Sequence, residues 1–280
     1  MSDETGFGDG FTPSGVLSLT TDFGVVDGYV GTMKGVALAA DPGLSIVDIT
    51  HLVRPQEVRE ASFHLRHAVP YFGPGAVHLS VVDPGVGTAR ESLVALWEGQ
   101  AFVAPDNGLL PALFAGLAGE VEYGVLDVER FLAPDASRTF HGRDLYSPSA
   151  AALASGSARP LDAISRLVAP EECVELDDAE PIVSAAGVRG TIQHLDHFGN
   201  AITNIEPAAD EEIAAVADRR PRVIVAGVEV GWVETYGEAP DGELVALIDS
   251  FGLVEIARVG GSAEATLDLE VGDTVSLELD

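Results

Sequence analysis

One cysteine, one lysine and two methionines are all that the 280 residues contain of those types, and each scarcity excludes something. A single thiol, Cys173, rules out an intrachain disulfide and a cysteine-rich metal site. No apolar run approaches the ~18 uncharged residues of a membrane span. Residues 1–14 lack the basic start and apolar core of a secretory signal, so they read as a disordered tail on an intracellular, cytoplasmic protein. Positive charge is also in short supply. Fifteen Lys and Arg face 45 Asp and Glu, a formal net charge of −30, and Lys34 is the only lysine. A field of that sign disfavours nucleic acid and anionic membranes as partners. Its self-repulsion points to a salt-rich, halophilic setting.

What is present is apolar material for a substantial core: 46% of the residues are hydrophobic, enough for one large or two modest domains. Strand-like runs over 15–20, 44–49, 76–82 and 121–128 alternate with helical patterns over 27–40, 55–69, 107–117 and 146–154. That alternation predicts an α/β N-terminal domain, residues 15–168, with a mostly parallel sheet covered on both faces. An acidic, proline-flanked stretch over 169–187 reads as a linker. Beyond it, over 188–280, strand signals dominate and only 208–216 looks helical, which predicts a smaller, β-rich, barrel-like C-terminal domain.

Chemistry-bearing residues concentrate where strands end. The run over 76–82 stops at Asp83, followed by Pro84-Gly85-Val86-Gly87-Thr88-Ala89-Arg90. Ligands of open α/β sheets bind beyond the carboxyl ends of the strands. The glycines let Arg90 fold back toward Asp83. The same residues also make an ordinary surface turn with an incidental ion pair. Thr21-Asp22-Phe23-Gly24 ends the first strand in the same way. Asp22 suits the hydroxyls of a polyol such as ribose, while turn and cap chemistry with Asp27 would look alike. His141-Gly142-Arg143-Asp144 puts a histidine beside a flexible glycine, free to exchange protons or simply to bond Asp144. Asp196-His197-Phe198-Gly199-Asn200 offers an amide for a nucleobase edge and a ring for its face, or else an Asx-rich hairpin. Metal sites fare poorly. Strand alternation splits His197 from His194 and Asp196, and Glu60, His64 and His67 read as a solvated helix face.

As an ordered set these segments, with Tyr29-Val30-Gly31-Thr32-Met33-Lys34-Gly35, Ala104-Pro105-Asp106-Asn107-Gly108 and Asp249-Ser250-Phe251-Gly252, resemble the adenosine-forming S-adenosyl-L-methionine hydrolases. These are the water-using relatives of fluorinases and chlorinases. The resemblance implies hydrolysis of S-adenosyl-L-methionine to adenosine and L-methionine, no metal or organic cofactor, and a homotrimer with its sites between subunits. It implies catalytic roles for Asp83, Arg90 and His141, and ribose binding by Asp22. Asn200, with Phe198 beside it, falls at the adenine. Asp196 falls at the methionine ammonium, and Ser250, Glu255 and the backbone near Val259 where the C-terminal domain closes on substrate. Gln56 departs from the tryptophan that fluorinase-like relatives place near the substrate. Two alternatives are a halide-using synthase of the same fold and an adenosine-binding sensor without turnover.

Overall fold

The computed structural model describes residues 6–177 and 180–279, and the chain divides into two compact units, 1–176 and 177–280. Among the described residues no helix is long and apolar enough to cross a membrane.

The first unit is a seven-stranded sheet in the order β2-β1-β3-β5-β4-β6-β7. Its strands are β1 (Val16–Thr21), β2 (Ser45–Thr50), β3 (Val77–Val81), β4 (Ser92–Trp97), β5 (Gln100–Pro105), β6 (Glu122–Leu126) and β7 (Ile164–Val168). Strands β1, β2, β3, β5 and β6 point one way, and β4 and β7 run against them. The expected mostly parallel sheet is therefore present. Its helices are α1 (Tyr29–Ala40), α2 (Val58–Ala68), α3 (Leu109–Phe114), α4 (Val128–Phe131) and α5 (Ser147–Ser155).

Strand periodicity sorts the interior into two layers. Leu17, Leu19, Val94, Leu96, Ala101 and Val103 pack with Met33 of α1 and Ala150 of α5 on one face. Leu93, Ala95, Phe102 and Ala104 pack with Leu65 of α2 and Leu113 of α3 on the other. Side chains that alternate along one strand feed opposite cores, as a covered sheet requires. Because α1 and α2 lie on opposite faces, the chain leaves β1 toward one side and β2 toward the other. The adjacent carboxyl ends of β1 and β3 thus form a topological switch point, where such sheets bind ligands.

The second unit holds β8 (Ile182–Ser184), β9 (Gly187–Leu195), β10 (Ala201–Thr203), β11 (Arg222–Val225), β12 (Val228–Trp232), β13 (Leu244–Ile248), β14 (Val254–Arg258) and β15 (Thr274–Glu278). Seven of them close a barrel, since β9 pairs with both β15 and β10, and β8 adds to its rim. Val223, Val225, Ile256, Val275 and Leu277 fill the interior. Helix α6 (Glu211–Ala217), capped by the Asp210 carboxylate on the amides of Glu212 and Ile213, adds Ile213 and Val216 to that core. A short α7 (Ala263–Leu267) follows β14.

Three local expectations need correction. Within the expected tail, Phe7 is only 4% exposed and packs into the first core with Phe11, so residues 6–14 join the domain; residues 1–5 lie outside the described ones. The expected linker holds a helical turn at Pro170–Glu172, a buried Cys173 and strand β8, with 178–179 outside the described residues. The second helix starts at Val58 rather than at 55, because Gln56 adopts a left-handed conformation (φ 69°) to direct its amide elsewhere.

Candidate active site

Strand pairing sets Thr21 opposite Val81, so Asp22, one residue past the first, and Asp83, two past the second, leave neighbouring strand ends. The loop after Asp83 is drawn tight by Val86 N–H to the Asp83 carbonyl (3.3 Å) and Thr88 N–H to the Gly85 carbonyl (3.1 Å). Gly87 has φ +77°, and a Cβ there would lie 2.5 Å from the Arg138 carbonyl, so only glycine fits. This fold-back brings Arg90 onto Asp83. Arg90 Nε donates to Asp83 Oδ1 at 2.8 Å, and Nη2 donates to Oδ2. The pair is largely shielded, with 10% and 5% of the two side chains exposed. Burial alone would lower the guanidinium's pKa, but the Asp83 bonds raise it above its usual value.

His141 joins them from the far end of the unit. It precedes a five-residue π-turn, Gly142–Tyr146, that runs into α5. Such turns are uncommon and gather at functional sites. A side chain at Gly142 would press on Met33, Phe23 and Phe140 at 3.2–3.3 Å, so the glycine lets this segment sit close. His141 Nδ1 lies 3.2 Å from Arg90 Nη2. A guanidinium offers only donors, so Nδ1 is the acceptor and the ring carries its proton on Nε2. Burial first, and then the Arg90 charge, lower the His141 pKa and favour the neutral ring. Asp144, the other possible partner of His141, is taken by the Arg143 guanidinium (2.5 and 2.8 Å) and the Ser137 amide (2.7 Å).

The sequence pattern gave no sign of the residues that hold Arg90 from behind. Nη1 donates to Ser92 Oγ at 3.2 Å, Ser92 Oγ lies 2.8 Å from the Tyr146 hydroxyl, and the guanidinium carbon sits 5.5 Å from the Tyr146 ring centre. Both are buried, and burial pushes the Tyr146 phenol pKa upward. Asn107, quoted above only as part of a motif, donates to the carbonyl of Val82 at 2.8 Å and so braces the strand end that carries Asp83.

On the other strand end, Asp22 Oδ2 accepts from the Gln56 amide at 2.9 Å. Phe23, Tyr29 and Phe140 meet nearby with ring centres 5.2–5.9 Å apart. They line a cavity of about 410 Å³ with Ser137, Thr139 and Arg143. Glu60, expected on a solvated face, is buried and accepts from the amide and Nε of Arg54. His67 meets the Phe63 ring edge-on, with ring centres 4.6 Å apart.

The remaining candidates lie in the second unit. Asp196 Oδ1 accepts from the amides of Phe198 and Asn200 (both 2.8 Å), and Oδ2 from the Asn200 side chain (3.0 Å). Phe198 is 74% exposed while Asn200 is buried. Ser250 is exposed in a turn organised by Asp249 Oδ1 on the amides of Phe251 and Leu253. Glu255 faces outward from the barrel under Tyr236, whose hydroxyl donates to it at 2.6 Å. Burial, with added repulsion from Asp249 and Asp196, pushes the Glu255 carboxyl up to about 7. The Val259 amide is already bonded to the Glu243 carbonyl (2.9 Å), and its carbonyl accepts from Gly242 (2.8 Å).

Residues 17–165 match the model of the SAM hydroxide adenosyltransferase N-terminal domain, and residues 190–276 that of the C-terminal domain. The chain belongs to the SAM hydroxide adenosyltransferase family. Among its relatives is an (R)-S-adenosyl-L-methionine hydrolase from Salinispora tropica, 39% identical over 263 residues, covering 93% of this chain and 97% of the relative. Another of that name, from Thermus thermophilus, is 37% identical over 92% and 97% of the two chains. A fluorinase from Actinoplanes sp. stands further off at 27%, covering 94% and 97%. The crystal structure of an uncharacterized conserved protein from Thermotoga maritima superposes with a TM-score of 0.83 at 34% identity, covering 93% of this chain and 98% of that one. SAM hydroxide adenosyltransferase membership and the strand-end assembly of Asp83, Arg90 and His141 bear on the same part of the chain.

Proposed function

We propose that this chain hydrolyses S-adenosyl-L-methionine to adenosine and L-methionine by in-line attack of water on C5′. The observation that carries this reading is the half-buried Asp83–Arg90–His141 assembly. The sulfonium is a good leaving group whose sulfur needs no proton. What the reaction lacks in bulk solvent is a water aligned with the C5′–S bond and a group to take its proton. Arg90 holds the Asp83 carboxylate oriented through both oxygens, and each oxygen keeps a lone pair to accept from water. His141, with Nδ1 toward Arg90, presents its Nε2–H to the same oxygen and turns the lone pair of that water toward carbon. The C–O bond forms as the C5′–S electrons return to sulfur, and the released proton passes to solvent.

In this reading Asp22 binds the ribose hydroxyls. Asn200 and Phe198 recognise adenine. Asp196, Ser250 and Glu255, with the main chain near Val259, receive the remainder of the substrate in a homotrimer whose sites lie between subunits. The enzyme works in a cytoplasm rich in salt, so its unfolding temperature rises between low and molar salt as self-repulsion is screened.

A halide-using reaction fits less well, since the Asp83 carboxylate would repel a halide at contact distance. A sensor without turnover needs Asp22 and Asn200 but not a shielded carboxylate, guanidinium and imidazole. Chromatography of products formed in molar chloride tests this. Adenosine and methionine alone support hydrolysis, whereas 5′-chloro-5′-deoxyadenosine or an intact substrate would contradict it.

A further inference from the structure

His51 follows β2 directly, and only 4% of its side chain is exposed. Its Nδ1 lies 2.9 Å from Thr21 Oγ1, and its Nε2 lies 3.0 Å from Asp48 Oδ1. Its main-chain carbonyl accepts from the Gly24 amide at 2.7 Å. Thr21 Oγ1 also accepts from the Phe23 amide at 3.2 Å. The turn 21–24 that carries Asp22 is therefore gripped on both sides of the aspartate, by the imidazole at Thr21 and by the carbonyl at Gly24. Asp48 is held in turn by Lys34 at 2.6 Å, the one lysine in the chain. Burial would raise the Asp48 carboxyl, but bonds from Lys34 and His51 bring it below the usual range.

We infer that His51 is a positioning residue for Asp22, fixing the aspartate for the ribose hydroxyls. Asp48 and Lys34 fix the imidazole's orientation in turn. This rests on the reading of Asp22 as the ribose-binding group.

The donor count favours one proton arrangement. Thr21 Oγ1 receives the Phe23 N–H and passes its own proton to His51 Nδ1, leaving Nε2–H to face Asp48. The hydrogen bond of the ring is the one at Nδ1 to Thr21, while Nε2 meets Asp48 as a close charge contact without hydrogen-bond alignment. A leucine would fill the same space without needing any partner. The polar chain instead starts at a surface lysine and ends on the turn beside Asp22. A second hold comes from the opposite direction, where the left-handed Gln56, five residues after His51, directs its amide at Asp22 Oδ2.

The test compares dissociation constants of adenosine and 2′,3′-dideoxyadenosine by calorimetry on the full-length protein. Their ratio isolates the contact to the ribose hydroxyls. Asp22→Asn collapses the ratio if Asp22 binds ribose. His51→Gln, whose amide reaches only the Nε2 position, lowers it about tenfold, the size of one lost hydrogen bond to a charged group. Thr21→Val does the same and carries the test should His51→Gln fail to fold. His51→Asn places its amide at the Nδ1 position and keeps most of the ratio. The double variant His51→Gln/Asp22→Asn is no worse than Asp22→Asn alone, because the two act through one contact. If Asp22→Asn collapses the ratio while His51→Gln and Thr21→Val weaken both ligands equally or not at all, the inference is overturned and the role of Asp22 stands. If Asp22→Asn leaves the ratio unchanged, the ribose reading fails and takes the inference with it.

Discussion

Arg90 gives Asp83 two donors, one to each carboxylate oxygen, and turns the Nη2 edge of the same fork toward His141 Nδ1 at 3.2 Å. The carboxylate is thereby pinned in plane, while the imidazole is kept neutral with a known tautomer. One guanidinium sets the orientation of the first and the charge state of the second.

Replacing that fork with a point charge should show what the geometry contributes. Arg90→Lys retains a cation but cannot span both oxygens of Asp83 and reach His141. It should lower kcat at least ~10²-fold, within the range of a lost acid–base arrangement, with little change in adenosine affinity. Arg90→Ala should be no better. Single-turnover kinetics with product chromatography measures it, and full activity in the lysine variant would mean that charge alone suffices.

The state of His141 gives a pH dependence of definite sign. Its pKa in the folded protein is lowered by burial and by Arg90, so the neutral ring persists through neutrality. Activity should therefore fall on the acid side, with an apparent pKa below that of free imidazole. In the folded state His141 binds fewer protons than when unfolded, so its contribution to stability is lost as pH falls below the ordinary histidine range. Removing the Arg90 charge in Arg90→Ala should move the His141 resonance in a titration by nuclear magnetic resonance to higher pKa. No movement would separate the two groups electrostatically.

Glu255 has the opposite sign. Its carboxyl is raised from an ordinary 4.5 to about 7 by burial and by the nearby acids. The folded state thus holds a proton that the unfolded state releases between those values, and stability declines as pH rises through that window. Glu255→Gln keeps an acceptor for Tyr236 and does not titrate. Its melting temperature should exceed that of the parent at pH 8, and the gap should close toward pH 4.5. A constant gap across that range would show that Glu255 ionises normally.

Much of this was legible in the sequence, for reasons that can be traced residue by residue. Largely apolar runs ending at Asp22 and Asp83 mark buried parallel strands, and the pleat period sorted their side chains into two cores. The meeting of Asp83 with Arg90 followed from glycines only two residues apart. The approach of His141, 51 positions beyond Arg90, has no local signature and came only through the family resemblance. Strands β7 and β8 escaped because one is an exposed edge and the other three residues long. Ser92, Tyr146 and His51 are ordinary buried polar residues in sequence. Their roles emerge when packing brings Arg90 and Thr21 beside them. The start of α2 was misread because Pro55 is a good first-turn residue, while the Asp22 carboxylate claims the next amide.

The most direct measurement is the fate of solvent oxygen. Purified protein is supplied with S-adenosyl-L-methionine in ¹⁸O-water, and the products are separated and analysed by mass spectrometry. Attack of the positioned water at C5′ puts the heavy atom in the 5′-hydroxyl of adenosine and none in methionine. Adenosine without label, or cleavage at any bond other than C5′–S, would contradict the role assigned to Asp83, Arg90 and His141.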